Sequence, residues 1–400
     1  MALPVPDRLP RHGHEGSAAT MVELASTRVH RELYSHPVFG STPAIAQACE
    51  DGSLQVVNAL LDALLPDPGR AGVDVARDPG VRMLSRLAFR CLDGADLSHL
   101  APGDVEVLQA MIGVGAAARD GAPTGLAACV EARRVGDPDG ACLDVATRFT
   151  PLDGVGAVFE DRLRREFLAG LPPWRLTAPT HEHLAALEEG LQLLSLAFGK
   201  LADACLAHVR LAFVMAAADS KVRSPGFGSF SADEVPGVIF LGPQTLVGPL
   251  AAVEHVLHEA THCKLYDLCL TRSVFRAGHV PFDSPRRTPP WRSPDDIDGH
   301  PWGVDRTLAA AHVYVHLAAF YVALTELGHV GAEPGYDPPS RARLCWDRAR
   351  WLVRTLDDLG RGQMGSDGEE LVAWLADLLP ELGSALPSID SAPGTSAPLD

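Results

Sequence analysis

His258, Glu259 and His262 stand together in the stretch VEHVLHEATHCKLYD as His-Glu-Ala-Thr-His. Residues four apart lie on one face of a helix, so two imidazoles at this spacing can present nitrogens to a single cation. Glu259, beside the first of them, can reach a water or a neighbouring group held by that cation. The chain has 16 histidines in 400 residues. At that frequency a His-x-x-x-His pair arises by chance about 0.6 times, and requiring Glu in second place lowers this to roughly 0.03. A second such pair, His312 and His316, occurs in DRTLAAAHVYVHLAAF, so the spacing alone means little. The bland alternative is a core or surface histidine pair beside a structural Glu. The Glu and the amphipathic helical context favour metal binding.

His-Glu-x-x-His on a helix is the signature of many zinc peptidases, each of which needs a further ligand. An extended HExxHxxGxxH motif fails here, because Leu265 and Leu268 occupy the Gly and third His positions. A third ligand from a Glu on a following helix fits poorly. No Glu occurs between Glu259 and Glu326, and the sequence around Glu326 lacks a downstream acidic partner. Carboxylates remain at Asp267, Asp283, Asp295, Asp296, Asp298 and Asp305. His312, on the next helix and flanked by small alanines, is the first choice for a third metal ligand, with His316 second.

The elements that must position these residues read as mainly helical. ATMVELASTRVHRELY, AIAQACEDGSLQVVNALLDALL, VRMLSRLAFRCL and PGDVEVLQAMIGVGAAA carry apolar residues at helical spacing between Pro, Gly and Asp breaks. Leu184, Leu187, Leu191, Leu194, Phe198, Leu201 and Cys205 form a continuous stripe, which predicts core packing more readily than a homodimer seam. VRLAFVMAA and PGVIFLGP are short, rich in β-branched and aromatic residues, and predict strands. The Gly/Ser loop between them, DSKVRSPGFGSFSADEV, is of the kind that borders binding sites. The motif helix starts near Pro249, runs to about Thr271 and gives way to a Pro-rich irregular segment; three helices follow. The expected organisation is a disordered start (1–18), a helical N-terminal region (19–180), a metal-site region (181–385) and a disordered tail (386–400). The fold class expected is mainly α, with a small β element beside the HExxH helix, as in zincin-like surroundings.

Composition narrows the function classes. A net charge of −17 argues against a nucleic-acid binder, since phosphate neutralisation needs clustered Lys and Arg. Eight scattered cysteines without a CxxC pair predict reduced thiols in a cytoplasmic protein. The opening residues carry prolines and charges rather than the apolar run of a signal peptide. No uninterrupted apolar stretch nears the ~20 residues of a membrane span.

The order of elements resembles the HExxH-motif proteins found with ribosomally made, modified peptides, a family of iron- and 2-oxoglutarate-dependent peptide β-hydroxylases. The resemblance runs from about Val209 to Leu324. It comprises the strand PGVIFLGP, the helix VEHVLHEATHCKLYDL, the segment PPWR (Pro289 to Arg292), and the step Asp305-Arg306 opening the helix LAAAHVYVHLAAF. Thr307 stands where the family has Pro, and the spacing from Trp291-Arg292 to Asp305-Arg306 is longer. The resemblance implies Fe(II) held by His258 and His262, with His312 as third ligand or an Asp from the loop in its place, and positions left for 2-oxoglutarate and O2. The far carboxylate of 2-oxoglutarate needs planar paired donors, which Arg supplies. Arg306 is the first candidate and Arg292 the second; each could equally be a surface ion pair. Glu259 would orient a ligand or the substrate. Trp291, Trp302, Tyr314 and His316 could wall a substrate pocket, although aromatics in such places are more often plain packing. The substrate implied is a residue in a peptide, or an amino acid held on a carrier, in natural-product biosynthesis.

Two other classes stay open. A zinc peptidase or amidohydrolase would use Glu259 as general base on a zinc-bound water, and would work without oxygen. A catalytically inactive helical module would bind a peptide partner without turnover.

Overall fold

The computed structural model describes residues 25–386, apart from 41, 65–70, 72, 93–101, 121, 123–124, 139, 151–153, 165–173, 218–227, 281–282, 294–299 and 330–332. The segments expected to be disordered (1–18 and the tail from 387) and the candidate ligands Asp295, Asp296 and Asp298 therefore lie outside the described residues.

Helices dominate. They are α1 (Ala25–Ser35), α2 (Thr42–Leu64), α3 (Val73–Arg77), α4 (Pro79–Leu92), α5 (Pro102–Arg119), α6 (Val155–Arg162), α7 (His181–Phe198), α8 (Lys200–Leu206), α9 (Pro249–Thr271), α10 (Val304–Glu326), α11 (Pro338–Leu359) and α12 (Ser366–Ala385). The strands are β1 (Val130–Gly136), β2 (Cys142–Phe149), β3 (Trp174–Thr177), β4 (Leu211–Ala217), β5 (Ser229–Ser231) and β6 (Val238–Leu241). They form one mixed sheet in the order β1-β2-β4-β6-β5, with β3 beside β4. The mainly α class with a small β element is thus what the protein adopts.

The sheet separates two apolar cores. Strand residues alternate between faces, so Leu211, Phe213 and Met215 of β4 meet α4, α5 and α6, while Ala212 and Val214 face α7, α9 and α10. Both faces of β4 and β6 are covered, which is why LAFVM and VIFL are apolar throughout. Strands β1, β2 and β3 correct the expectation of an all-helical region before residue 180. β4 pairs with β2 and β3, so the sheet draws on both sides of that boundary. β1 hid because its side chains are mostly exposed and charged, leaving no apolar alternation to read.

The stripe from Leu184 to Cys205 is core packing. Leu187, Leu191, Leu194, Phe198, Leu201 and Cys205 are all buried, and the run breaks at Gly199, whose φ of 51° ends α7 and starts α8. Gly190 lets α7 lie against α9: a Cβ there would stand 2.6 Å from the Pro249 carbonyl oxygen. α10 corrects the reading that no stretch reaches a membrane-spanning length. Val304–Glu326 is long and apolar enough by composition, but 83% of its apolar window is buried inside the protein, as befits a central core helix.

Candidate functional site

α9 is enclosed by α7, α10, α2 and the β5–β6 edge of the sheet, and is buried around most of its circumference. Its N-cap residue, Gly248, offers no side chain. Glu333 does the capping from a distant loop: its two carboxylate oxygens accept from the Leu250 and Ala251 N–H groups, each at 2.9 Å. A carboxylate suits the positive end of a helix, and this contact fixes the start of the motif helix two turns before His258.

His258 and His262 converge as their spacing predicts. Their Nε2 atoms are 3.2 Å apart, with ring centroids at 4.9 Å. Metal–imidazole bonds are about 2.0–2.1 Å long, so two nitrogens at this separation subtend about 100° at a shared cation, within the range of tetrahedral and octahedral ligation. Burial, then the charges of His258 and Arg306, hold the His262 imidazole well below its usual pKa. That keeps the ring neutral, the form a metal ligand requires. The Nδ1 atom of His262 is buried and has no hydrogen-bond partner among the described residues.

Glu259 points elsewhere. It is 2% exposed, and its two oxygens accept from the hydroxyls of Ser229 (2.7 Å) and Ser231 (2.8 Å) on β5. The single hydroxyl hydrogen of Ser229 is thereby used, so the 2.8 Å contact between Ser229 Oγ and His255 Nδ1 has the imidazole donating. His258 Nε2 stands 3.9 Å from Glu259 Oε1. A relay His255–Ser229–Glu259 thus ties the sheet edge to the motif helix.

His262 also lines a cavity of about 750 Å³. Arg86 of α4, Asp233 and Glu234 after β5, Tyr266 of α9, Arg276 and His279 of the following segment, and Asp305 and Arg306 of α10 complete its polar lining. Tyr266 stacks on His262, with centroids 6.1 Å apart and planes 13° from parallel. The Arg306 guanidinium lies 4.7 Å over the Trp302 ring, a cation–π contact that restricts its long side chain. Arg276 is held by an Nε–H bond to the Met364 carbonyl at 3.1 Å. Of the two candidate cosubstrate arginines, the structure brings Arg306 to His262; Arg292 sits in a turn closed on Pro289 O at 3.1 Å and does not line the cavity.

The remaining expected site residues lie apart from it. His312 is fully buried against His316, with ring centroids 4.5 Å apart. Neither of its ring nitrogens has a hydrogen-bond partner among the described residues. Burial, then His316, Lys264 and His262, push its pKa well down; the nearby Thr261 carbonyl, outside hydrogen-bonding geometry, works weakly the other way. His316 donates Nδ1–H to the His312 carbonyl at 2.8 Å. Among the described residues no three His, Cys, Asp or Glu side chains gather closely enough to hold an ion. The two convergent imidazoles fit one cation, and among the described residues no third protein ligand stands beside them. Asp267 is committed to His208 (2.8 Å) and Arg82 (2.9 Å). Burial alone would raise its carboxyl, but these two partners hold it at about 2.

Trp291, Trp302, Tyr314 and His316 do not wall this cavity. Trp291 meets Trp302, Tyr314 and Trp351 edge-on at 6.3, 6.3 and 5.2 Å. Arg348 covers Trp291 and donates to the Tyr314 hydroxyl at 2.8 Å. These aromatics are packing between α10, α11 and the segment that joins α9 to α10. Sequence reasoning passed over His255, Tyr266, Ser229, Ser231 and Arg276. The first two were within reach: His255, Glu259, His262 and Tyr266 follow one another at steps of four, three and four, along one face of the helix.

No protein-family model matches the chain, and no curated protein matches it in sequence.

Proposed function

We propose that the protein is an oxygenase that uses Fe(II) and 2-oxoglutarate to hydroxylate an amino-acid residue carried by a peptide or a carrier. The overall reaction turns 2-oxoglutarate and O2 into succinate, CO2 and one oxygen atom inserted into a substrate C–H bond. One observation carries the proposal: the neutral ring of His262 meets His258 at 3.2 Å and at the same time lines the cavity that Arg306 and Arg276 line. A bound iron would supply the activation of O2, with His258 and His262 holding it. Arg306 offers parallel N–H donors to the far carboxylate of the cosubstrate, the geometry in which guanidinium–carboxylate pairing is strongest. Its stacking on Trp302 keeps that fork oriented. Tyr266, stacked on His262, limits rotation of the ring.

The zinc-hydrolase reading asks Glu259 to take a proton from a bound water. Both carboxylate oxygens already accept hydroxyl hydrogens from β5, and the residue is 2% exposed. That arrangement favours a group that holds a strand over one that exchanges protons with solvent.

The test is anaerobic reconstitution with Fe(II) and 2-oxoglutarate, followed by admission of O2 and measurement of succinate. Succinate should form in the parent protein and disappear in His258→Ala and His262→Ala. Formation that survives either substitution, or hydrolysis of a peptide without O2, would overturn the proposal.

A further inference from the structure

Among the described strands β5 ends the sheet, and no described residue pairs with most of its outward backbone groups. Gly242 N–H donates to the Gly228 carbonyl at 2.8 Å, and the register pairs Ser229 with Leu241, Phe230 with Phe240 and Ser231 with Ile239. In an antiparallel ladder, residues that exchange bonds alternate with residues that do not. Phe230 therefore turns its N–H and C=O toward β6, while Ser229 and Ser231 turn theirs outward. The Ser231 carbonyl accepts a long bond from the Tyr266 hydroxyl at 3.4 Å. Ser229 N–H, Ser229 C=O and Ser231 N–H meet no partner among the described residues, and the strand is only half-buried. An open edge of this kind is completed by another extended backbone.

This edge is in fixed register with the histidine pair. Ser229 Oγ and His258 Nε2 share one carboxylate oxygen, Glu259 Oε1, at 2.7 and 3.9 Å. Residues directly opposite across a ladder project their side chains from the same face, and the Ser229 side chain faces α9. A peptide residue laid opposite Ser229, about 4.8 Å away, sends its side chain to the face that carries His258. Its two neighbours point to the other face.

We propose that the outer edge of β5 is the docking rail for an extended peptide segment, paired through the N–H and C=O of Ser229, and that the residue opposite Ser229 is the one presented to His258 and His262. The occupant is a linear peptide because the open groups are backbone donors and acceptors in strand spacing. A single amino acid on a carrier lacks the run of amides needed to satisfy them. What is done to the presented residue rests on the oxygenase reading; docking does not.

Octapeptides that bind the metal-free full chain are to be selected from a random display library. The best binder is then remade with one N-methyl group at each position in turn and titrated by fluorescence anisotropy. The methyl group on the residue whose N–H meets the Ser229 carbonyl should weaken binding about tenfold, the worth of one hydrogen bond, while those on its two neighbours leave it nearly unchanged. The Ser229 and Ser231 amides should gain protection from hydrogen exchange on binding. Ser229→Pro, which removes the outward N–H at a position where an edge strand tolerates Pro, should weaken the same peptide about tenfold more than Ser229→Ala, with thermal melts verifying both folds. A flat N-methyl profile, protection elsewhere in the chain, or failure to select any binder would overturn the proposal. Every readout is taken without iron or O2, so loss of the oxygenase reading in the succinate assay leaves docking intact, and the reverse.

Discussion

Glu259→Gln tests the strand-holding role of the carboxylate, because the contacts it makes are ones that glutamine can partly keep. The carboxylate accepts from two hydroxyls at 2.7 and 2.8 Å. Hydrogen bonds to a charged acceptor contribute about 1.5–3 kcal/mol each, against about 1 for a neutral pair. Glutamine keeps one oxygen for Ser229 or Ser231, and its amide can donate to the other hydroxyl, so both contacts survive without charge assistance. The expected loss of stability is about 1–4 kcal/mol. Glu259→Ala leaves both hydroxyls stranded at the β5–α9 contact and should cost about 3–6 kcal/mol by the same reasoning. Urea denaturation measures these values, and succinate release measures turnover on the same samples. The oxygenase reading expects the Gln protein to retain succinate formation to within about tenfold. A general base contributes about 10²–10⁴-fold. Loss of succinate formation by three orders of magnitude in a Gln protein as stable as the parent would refute the strand-holding role.

Arg306→Ala should raise the KM for 2-oxoglutarate about 10–100-fold, the loss of a charge-assisted pair, with Arg306→Lys intermediate; an unchanged KM in steady-state succinate assays would remove Arg306 from the site. Arg341 and the Tyr321 hydroxyl both donate to Glu254, which is 7% exposed. Arg341→Ala should cost about 3–5 kcal/mol because it strands a buried carboxylate, and Arg341→Met with Glu254→Gln should recover much of that in urea melts. Acid should destabilise the fold well above the carboxylate range. Burial lowers His30 to about 4 and His316 to about 3, so between pH 6.5 and 4 each ring is neutral when folded and protonated when unfolded. Their contribution is fully present above pH 6.5 and falls as pH drops, by about 1.4 kcal/mol per pH unit for each ring. Urea titrations at pH 7, 6 and 5 that show no such slope would contradict the buried, neutral assignment.

What could be read in the sequence was what a single helix determines. His258 and His262 converge because 3.6 residues per turn bring them together whatever surrounds them, and Pro249 marks the helix start for the same local reason. β4 and β6 were legible because strands covered on both faces must be apolar throughout. β1, with charges along its exposed length, satisfies no apolar period and read as part of a helical region. β5 is three residues inside a Gly/Ser loop, and only its tertiary contact with Glu259 makes it a strand of consequence. The polar face formed by His255, Glu259, His262 and Tyr266 lay open to periodicity, yet attention to one motif hid it.

The role of His312 shows where such reading must stop. Its spacing to His316 repeats that of the motif pair, and small residues do let α10 pack on α9, so local rules favoured a nitrogen aimed at the same cation. Which way the ring turns depends on the crossing of α9 and α10, set by side chains along both helices and by Gly190 admitting α7 on the other side. In the folded chain the ring lies against His316, and nearby Lys264, whose pKa burial lowers, is itself fully buried with no partner for its Nζ among the described residues. Five polar atoms on these residues and His208, among them both His312 nitrogens and the Lys264 Nζ, share that want of partners. Unsatisfied groups at such depth cost about 1–3 kcal/mol apiece, so this part of the core is held in place by the apolar packing of α9 and α10 around it. A sequence pattern encodes which groups can bind; the net orientation of two packed helices decides what they meet.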